Sequence, residues 1–326
     1  MKVLVTGSSG FIGSHLVEAL LKKGFQVYCL IRKDSNLEWI KDQNVNFIVA
    51  DYLNKSTLYK PLTGMEYIFH LGAAINAPDW DSYYKINTLG TKNIIEVCAE
   101  VNPYIRKFIF VSSIAASGPS YLKIFKKESD ECRPVSLYGK SKLYAEQIVS
   151  GFKDKIPIVI VRPTNILGIR QKELFSVLKL VKKRIIPMLG NRDLQTSICF
   201  VQDLVTALIL VAENDQACGE TYFVSDNKAY SWFEMLTCIA KILKVYPMVI
   251  RIPYPILLLI TWISENLSKV INSKPLISIE HVASARKHYY LYGSNKIQKE
   301  LDFHPIINFV DGINEIIDWY KKQRML

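Results

Sequence analysis

The chain opens on a short β-branched run, Lys2–Val5, which breaks at once into Thr6-Gly7-Ser8-Ser9-Gly10-Phe11-Ile12-Gly13 and then a helix-like stretch, Gly13–Lys23. This G-x-x-G-x-x-G spacing limits the available folds more than any other feature. Gly7 permits the tight turn, Gly10 lets the backbone come close to a pyrophosphate, and Gly13 lets helix and strand pack closely. The helix start then offers free N–H groups and a positive dipole end to the anion. A glycine triplet alone is weak, and the alternative is an ordinary turn. The strand before it and the helix after it are the context that gives the motif its meaning.

Further short apolar runs follow at Gln26–Ile31, Asn46–Ala50, Tyr67–Leu71, Lys107–Ser112 and Ile158–Arg162, with helix-like stretches such as Asn87–Val101 and Leu137–Phe152 between them. Alternation at this spacing predicts a parallel sheet covered on both faces, a Rossmann-type doubly wound α/β fold. After Arg162-Pro163 the character changes. From Gly168 onward the segments read as mostly helical, with one strand-like run at Thr221–Val224. The expected organisation is a nucleotide-binding domain over residues 1–165 and a smaller, mostly helical substrate region over 166–326, partly interleaved with the first.

Of the 326 residues, 49% are hydrophobic, enough to bury a real core. The net charge of +11 raises nucleic acid, anionic membrane or anionic substrate as partners. The cations are thinly spread, densest at Lys123–Lys127, Lys179–Arg184 and Lys321–Arg324, with neither a zinc-finger nor an RNA-recognition pattern. A solvated basic surface without nucleic-acid function is the expectation. The six cysteines are scattered with no C-x-x-C pair, which reads as a reducing, cytoplasmic setting without a metal site. No signal peptide is read at the start, where Met1–Thr6 is too short for an apolar core. The uncharged stretch Ile252–Ser264 is shorter than the ~20 residues of a spanning helix. Its first reading is a buried helix; its second is a surface helix touching a membrane or covering a greasy substrate.

Two strand ends bear on the cofactor. Arg32-Lys33 follows the second run. An acid there would bond the ribose 2′-hydroxyl of NAD, whereas an arginine suits the 2′-phosphate of NADP. NADP is therefore the preferred cofactor and NAD the alternative. Asp51, at the end of the third run, either accepts a bond from the adenine amino group or acts as a helix N-cap, with Asn54 and Ser56 nearby.

Leu137-Tyr138-Gly139-Lys140-Ser141-Lys142 places Tyr138 and Lys142 four apart, on one helix face. A free phenol has a pKa near ~10, and a neighbouring ammonium favours the phenolate, so Tyr138 becomes a plausible general acid or base. Ser113, just past the run Lys107–Ser112, could hydrogen-bond a substrate oxygen as charge develops on it.

TGSSGFIG, Asp51, HLGAA at His70–Ala74, NTLGT at Asn87–Thr91, VSS at Val111–Ser113, YGKSK and RPTNILG at Arg162–Gly168 together resemble an extended short-chain dehydrogenase/reductase of the NAD-dependent epimerase/dehydratase group. Val201-Gln202-Asp203-Leu204 and Leu301-Asp302-Phe303-His304-Pro305 are similar to that group's later segments, so the resemblance spans nearly the whole chain. It implies that Ser9, Phe11 and Ile12 meet the pyrophosphate, that Tyr52, Leu71, Ala73 and Ala74 line the adenosine side, and that Asn87 supports the pocket. It also implies that Lys142 bonds the nicotinamide ribose, that Pro163 and Thr164 sit by the nicotinamide, and that a homodimer forms on the helix carrying Tyr138. Ile114 and Ala115 follow Ser113 where dehydratases of the group carry acids, and Ala116-Ser117-Gly118 replaces the V-Y-G of many sugar epimerases.

The leading expectation is an NADP(H)-linked oxidoreductase acting on a carbonyl/alcohol pair, similar to the dihydroflavonol-reductase and 3β-hydroxysteroid-dehydrogenase branch, with an apolar small molecule as substrate. A nucleotide-sugar epimerase is the alternative, with Arg192 and Arg251 as candidate diphosphate ligands. A cofactor-binding regulator without turnover comes third, because such relatives often lose the Tyr or the Lys that this chain keeps.

Overall fold

The computed structural model describes residues 1–120, 123–189, 195–270 and 289–326. The apolar runs become one seven-stranded sheet: β1 (Lys2–Thr6), β2 (Gln26–Ile31), β3 (Asn46–Val49), β4 (Tyr67–His70), β5 (Lys107–Val111), β6 (Ile158–Pro163) and β7 (Thr221–Val224). The spatial order is β7-β6-β5-β4-β1-β2-β3, and every pairing is parallel. This is the doubly wound Rossmann-type α/β fold. The winding direction reverses between β1 and β4, and in such sheets the crevice beyond the strand ends at the reversal is where ligands bind.

Successive strand residues point to opposite faces, which is why the runs are apolar throughout. Val3 and Val5 face one layer, with α1 (Phe11–Lys22) and α5 (Val201–Glu213). Leu4 faces the other, with α2 (Gly90–Val101) and α3 (Leu137–Ser150). A third apolar cluster joins α4 (Lys172–Lys182), α6 (Trp232–Ile242) and α8 (Phe309–Lys322) around Leu178, Phe200, Ile239 and Ile317. Asp203, on α5, holds the C-terminal segment by accepting hydrogen bonds from the Ile306 and Ile307 N–H groups at 3.1 and 3.2 Å.

The segment after α6 departs from the sequence reading. Met248–Ile252 is a strand, paired in parallel with Ile185–Leu189. It leads into α7 (Tyr254–Val270). The buried-helix reading fails here: Leu257 and Thr261 are buried, but Ile256, Leu259, Ile260 and Ile263 on the other side are exposed. The residue pattern of an apolar helix is the same whether or not anything covers it. Among the described residues, no helix is long and apolar enough to cross a membrane.

Candidate active site

The two halves of the winding meet at the glycine loop. Gly7 has φ +67, and a Cβ there would lie 2.9 Å from the Gly72 nitrogen, just past β4. A Cβ on Gly13 would lie 2.1 Å from the Gly7 oxygen, so strand and helix touch through bare backbone. Gly10 is the extended N-cap of α1 and supplies no side-chain cap, and the first turn lacks an acid. The first N–H groups of a helix have no partner inside it, so the start of α1 presents Phe11 and Ile12 amides to an anion, with half-buried Ser9 beside them. A dinucleotide pyrophosphate fits this cradle.

The adenosine end lies across β2 and β3. Arg32 follows β2 with its side chain 59% exposed, its Nε 3.5 Å from an Asp34 carboxylate oxygen. Of the two readings for Asp51, the helix cap is not built into the fold. Its Oδ1 accepts from the Leu53 N–H at 2.9 Å in a local turn, and Asn54 caps the turn that follows. Tyr52 packs its ring against Gly72 and Gly90, both too close to carry a Cβ without moving it. Burial raises the Tyr52 phenol pKa, while Arg32 lowers it and Asp51 raises it, so the three groups converge.

Beneath the loop, His70 is fully buried. Its ring nitrogens pair with the Thr6 hydroxyl at 2.7 Å and the Thr91 hydroxyl at 2.9 Å. Burial, and then the nearby Lys142, push its pKa down to about 3, so the ring stays neutral. Leu71, Ala73 and Ala74 run on from β4. Asn87 clamps this segment: its Oδ1 accepts from the Ala74 N–H at 2.7 Å, and its Nδ2 donates to the Ala74 carbonyl at 3.0 Å and to the Ser141 hydroxyl at 2.9 Å. Asn87 thus braces the loop after β4 against α3.

The proton-transfer group forms where β5 meets α3. Ser113 caps the short turn Ile114–Ser117, its Oγ accepting from the Ala115 N–H at 3.1 Å. Ser136 caps α3, its Oγ accepting from the Gly139 N–H at 3.0 Å. A Cβ on Gly139 would lie 2.3 Å from the Ala115 carbonyl oxygen. The two backbones therefore touch, which carries Tyr138 to Ser113. Burial pushes the Tyr138 phenol up to about 12; a hydrogen bond with Ser113 works against this, and Tyr83 adds to it. Lys142, one turn along, donates to the Val111 carbonyl at 2.9 Å and sits 4.2 Å from the Phe110 ring centroid. Burial brings its ammonium down to about 7, with Glu146 opposing.

Glu146 in turn takes Arg162 in two bonds, Nε to Oε1 at 2.9 Å and Nη2 to Oε2 at 2.6 Å, with both side chains buried. Sequence reasoning missed this pair. The available signals were a third polar residue at i+4 after Tyr138 and Lys142, and a lone charge at the end of an apolar strand. It also missed His70 as a buried brace and Tyr83, whose ring centroid is 6.1 Å from that of Tyr138. Pro163 ends β6 beside the end of β5, and Thr164 bonds the Val224 carbonyl through both its N–H and its hydroxyl at 3.1 Å. Ser113, Tyr138 and Lys142 are thus brought together at the strand ends. Arg32, Asp51 and Tyr52 form a separate group at the adenosine end. Arg251 lies on the exposed strand Met248–Ile252, and Arg192 falls outside the described residues. All six cysteines are free, and among the described residues no cluster of His, Cys, Asp or Glu could hold a metal ion.

Known proteins are similar to this chain in sequence and in fold. The model of the NAD dependent epimerase/dehydratase family matches residues 3–225. Mouse (Mus musculus) sterol-4-alpha-carboxylate 3-dehydrogenase, decarboxylating, is 26% identical over 99% of this chain and 92% of its own. UDP-glucose 4-epimerase of Vibrio cholerae is 33% identical over 72% of this chain and 73% of its own. In the solved structures, UDP-glucose 4-epimerase of Thermotoga maritima, at 19% identity, superposes with a TM-score of 0.81 over 99% of this chain and 100% of its own. The family model spans the glycine cradle, the braced loop after β4, the proton-transfer group and the sheet as far as β7; on that match the chain belongs to the NAD dependent epimerase/dehydratase family, among the extended short-chain dehydrogenase/reductases.

Proposed function

We propose that the protein is an NADP(H)-linked oxidoreductase that interconverts a carbonyl and an alcohol on an apolar small molecule. The observation that carries the cofactor choice is Arg32: an exposed guanidinium, and no carboxylate, directly follows β2, where a 2′-phosphate would be met. A dinucleotide held by its pyrophosphate at the α1 cradle would supply hydride chemistry at the substrate carbon. The chain's own residues handle the oxygen. With its pKa raised to about 12, Tyr138 holds its proton at neutral pH and can give it to the oxygen as negative charge develops there. Ser113 is placed to steady that charge. The Lys142 ammonium favours the phenolate left behind. The mouse relative, named for a sterol substrate, supports an apolar substrate. The reading includes a cytoplasmic homodimer formed through α3, where Tyr144 stands exposed against Trp80, ring centroids 5.7 Å apart.

Epimerisation of a nucleotide sugar is the second reading, favoured by the 33% identity to the Vibrio epimerase. It would use the same three residues and retain its cofactor. The test is to identify the dinucleotide released on denaturation and to titrate NADPH against NADH, in the wild type and in Arg32→Asp. A charge-assisted bond to phosphate is worth about 10–100-fold in affinity, so that preference for NADPH is expected, reversing in the variant. Tightly held NAD in the purified protein would overturn the reading in favour of the epimerase.

A further inference from the structure

The segment from Met248 to Ile263 departs from the rest of the surface. On α7 the exposed side chains Ile256, Leu259, Ile260 and Ile263 fall at i, i+3, i+4 and i+7, one continuous stripe. The buried positions Leu257 and Thr261 lie on the opposite side. A surface helix ordinarily turns its polar face outward; this one is inverted. The strand before it adds Met248 and Ile250, both exposed. Contiguous exposed apolar surface of this kind marks an interaction site.

Charge identifies the partner. No Asp or Glu occurs between Glu234 and Glu265, nor between Glu173 and Asp193. The two acid-free stretches are brought together by the pairing of Met248–Ile252 with Ile185–Leu189. Exposed Lys182, Lys183 and Arg184 end at that junction, where the Met248 N–H donates to the Arg184 carbonyl at 2.8 Å. Lys244 and Arg251, also exposed, flank the strand on the other stretch. An apolar stripe beside these exposed cations matches an anionic lipid surface, where apolar side chains enter the acyl boundary and cations meet the headgroups. No described helix is long and apolar enough to span, so the contact is interfacial.

We propose that Met248–Ile263 docks the protein on anionic membrane surfaces, lying in the interface plane. The argument is independent of the catalytic reading, and so is its test. Full-length protein is floated with vesicles of phosphatidylcholine plus phosphatidylserine, and with phosphatidylcholine alone, at low and high salt. Binding to the anionic vesicles, weakened by salt, is expected. Leu259→Ser/Ile260→Ser should lower it at least about tenfold through lost apolar insertion, and Lys182→Glu/Lys183→Glu should abolish the preference for phosphatidylserine. Retained dinucleotide binding shows that each variant is folded. No binding by the wild type, or equal binding by wild type and both variants, overturns the proposal. So does a wild-type oligomer that ignores vesicles and splits on Leu259→Ser/Ile260→Ser, since a second copy would then cover the face.

Discussion

Helices α5 and α7 are built from nearly the same material and meet opposite fates. Val201–Glu213 reads VQDLVTALILVAE, and Leu204, Ala207, Leu208 and Val211 are wholly buried. Tyr254–Ser264 reads YPILLLITWIS, and Leu259 is 56% exposed. The difference is topological. α5 crosses between β6 and β7, and the sheet it connects also covers it. The strand before α7 has one short partner and leaves most of its own residues exposed. Hydrophobicity states how much surface needs cover; connectivity decides whether the chain itself supplies it.

If the sheet half holds both the chemistry and the stability, the largest effect should come from Tyr138→Phe. Turnover should fall about 10²–10⁴-fold with dinucleotide affinity kept, as read from steady-state rates and a binding titration. Turnover that survives would remove the proton-transfer role from α3.

The next effect concerns the buried brace. His70 is held neutral, with its pKa at about 3 against 6.5 for a free ring. Below pH 6.5 the unfolded chain takes up a proton that the folded chain refuses until about 3. The His70 contribution is therefore whole above 6.5 and is lost as pH falls through that window, up to about 5 kcal/mol. Urea unfolding at several pH values should show a shallower acid decline for His70→Gln than for the wild type; equal declines would mean that the imidazole is not the group responsible.

The last comparison separates the two helices directly. Leu208→Ala on α5 should cost about 2–5 kcal/mol, while Leu259→Ser on α7 should stay within about 0.5 kcal/mol. Comparable losses in chemical denaturation would erase the contrast.

What could be read from the residues follows the same division. The strand runs were legible almost to the residue, because a strand buried on both faces leaves an unbroken apolar run. Gly7, Gly10 and Gly13 were legible because each answers a backbone requirement that no other residue meets as well. The proximity of Tyr138 and Lys142 was legible from helical spacing alone. Pairings across long stretches of chain were not. Thr6–His70–Thr91 and Glu146–Arg162 leave no periodic trace. Asn87 was assigned to the cofactor pocket by resemblance, but nothing in its own residue type foretold a clamp on Ala74 and Ser141. The strand Met248–Ile252 is hard to read from the residues because its partner, Ile185–Leu189, is remote in sequence.

The contact between Gly139 and the Ala115 carbonyl has one more consequence. It sets the separation of Ser113 and Tyr138 through main chain, without recourse to the side chains that would line a substrate pocket. The acid–base apparatus is thereby insulated from the walls around it. A lineage could exchange residues outside this contact without retuning the proton donor. Relatives named for a sterol carboxylate and for UDP-glucose are 26% and 33% identical to this chain, and a main-chain anchor of this sort is a physical route by which one proton-transfer device could serve different molecules.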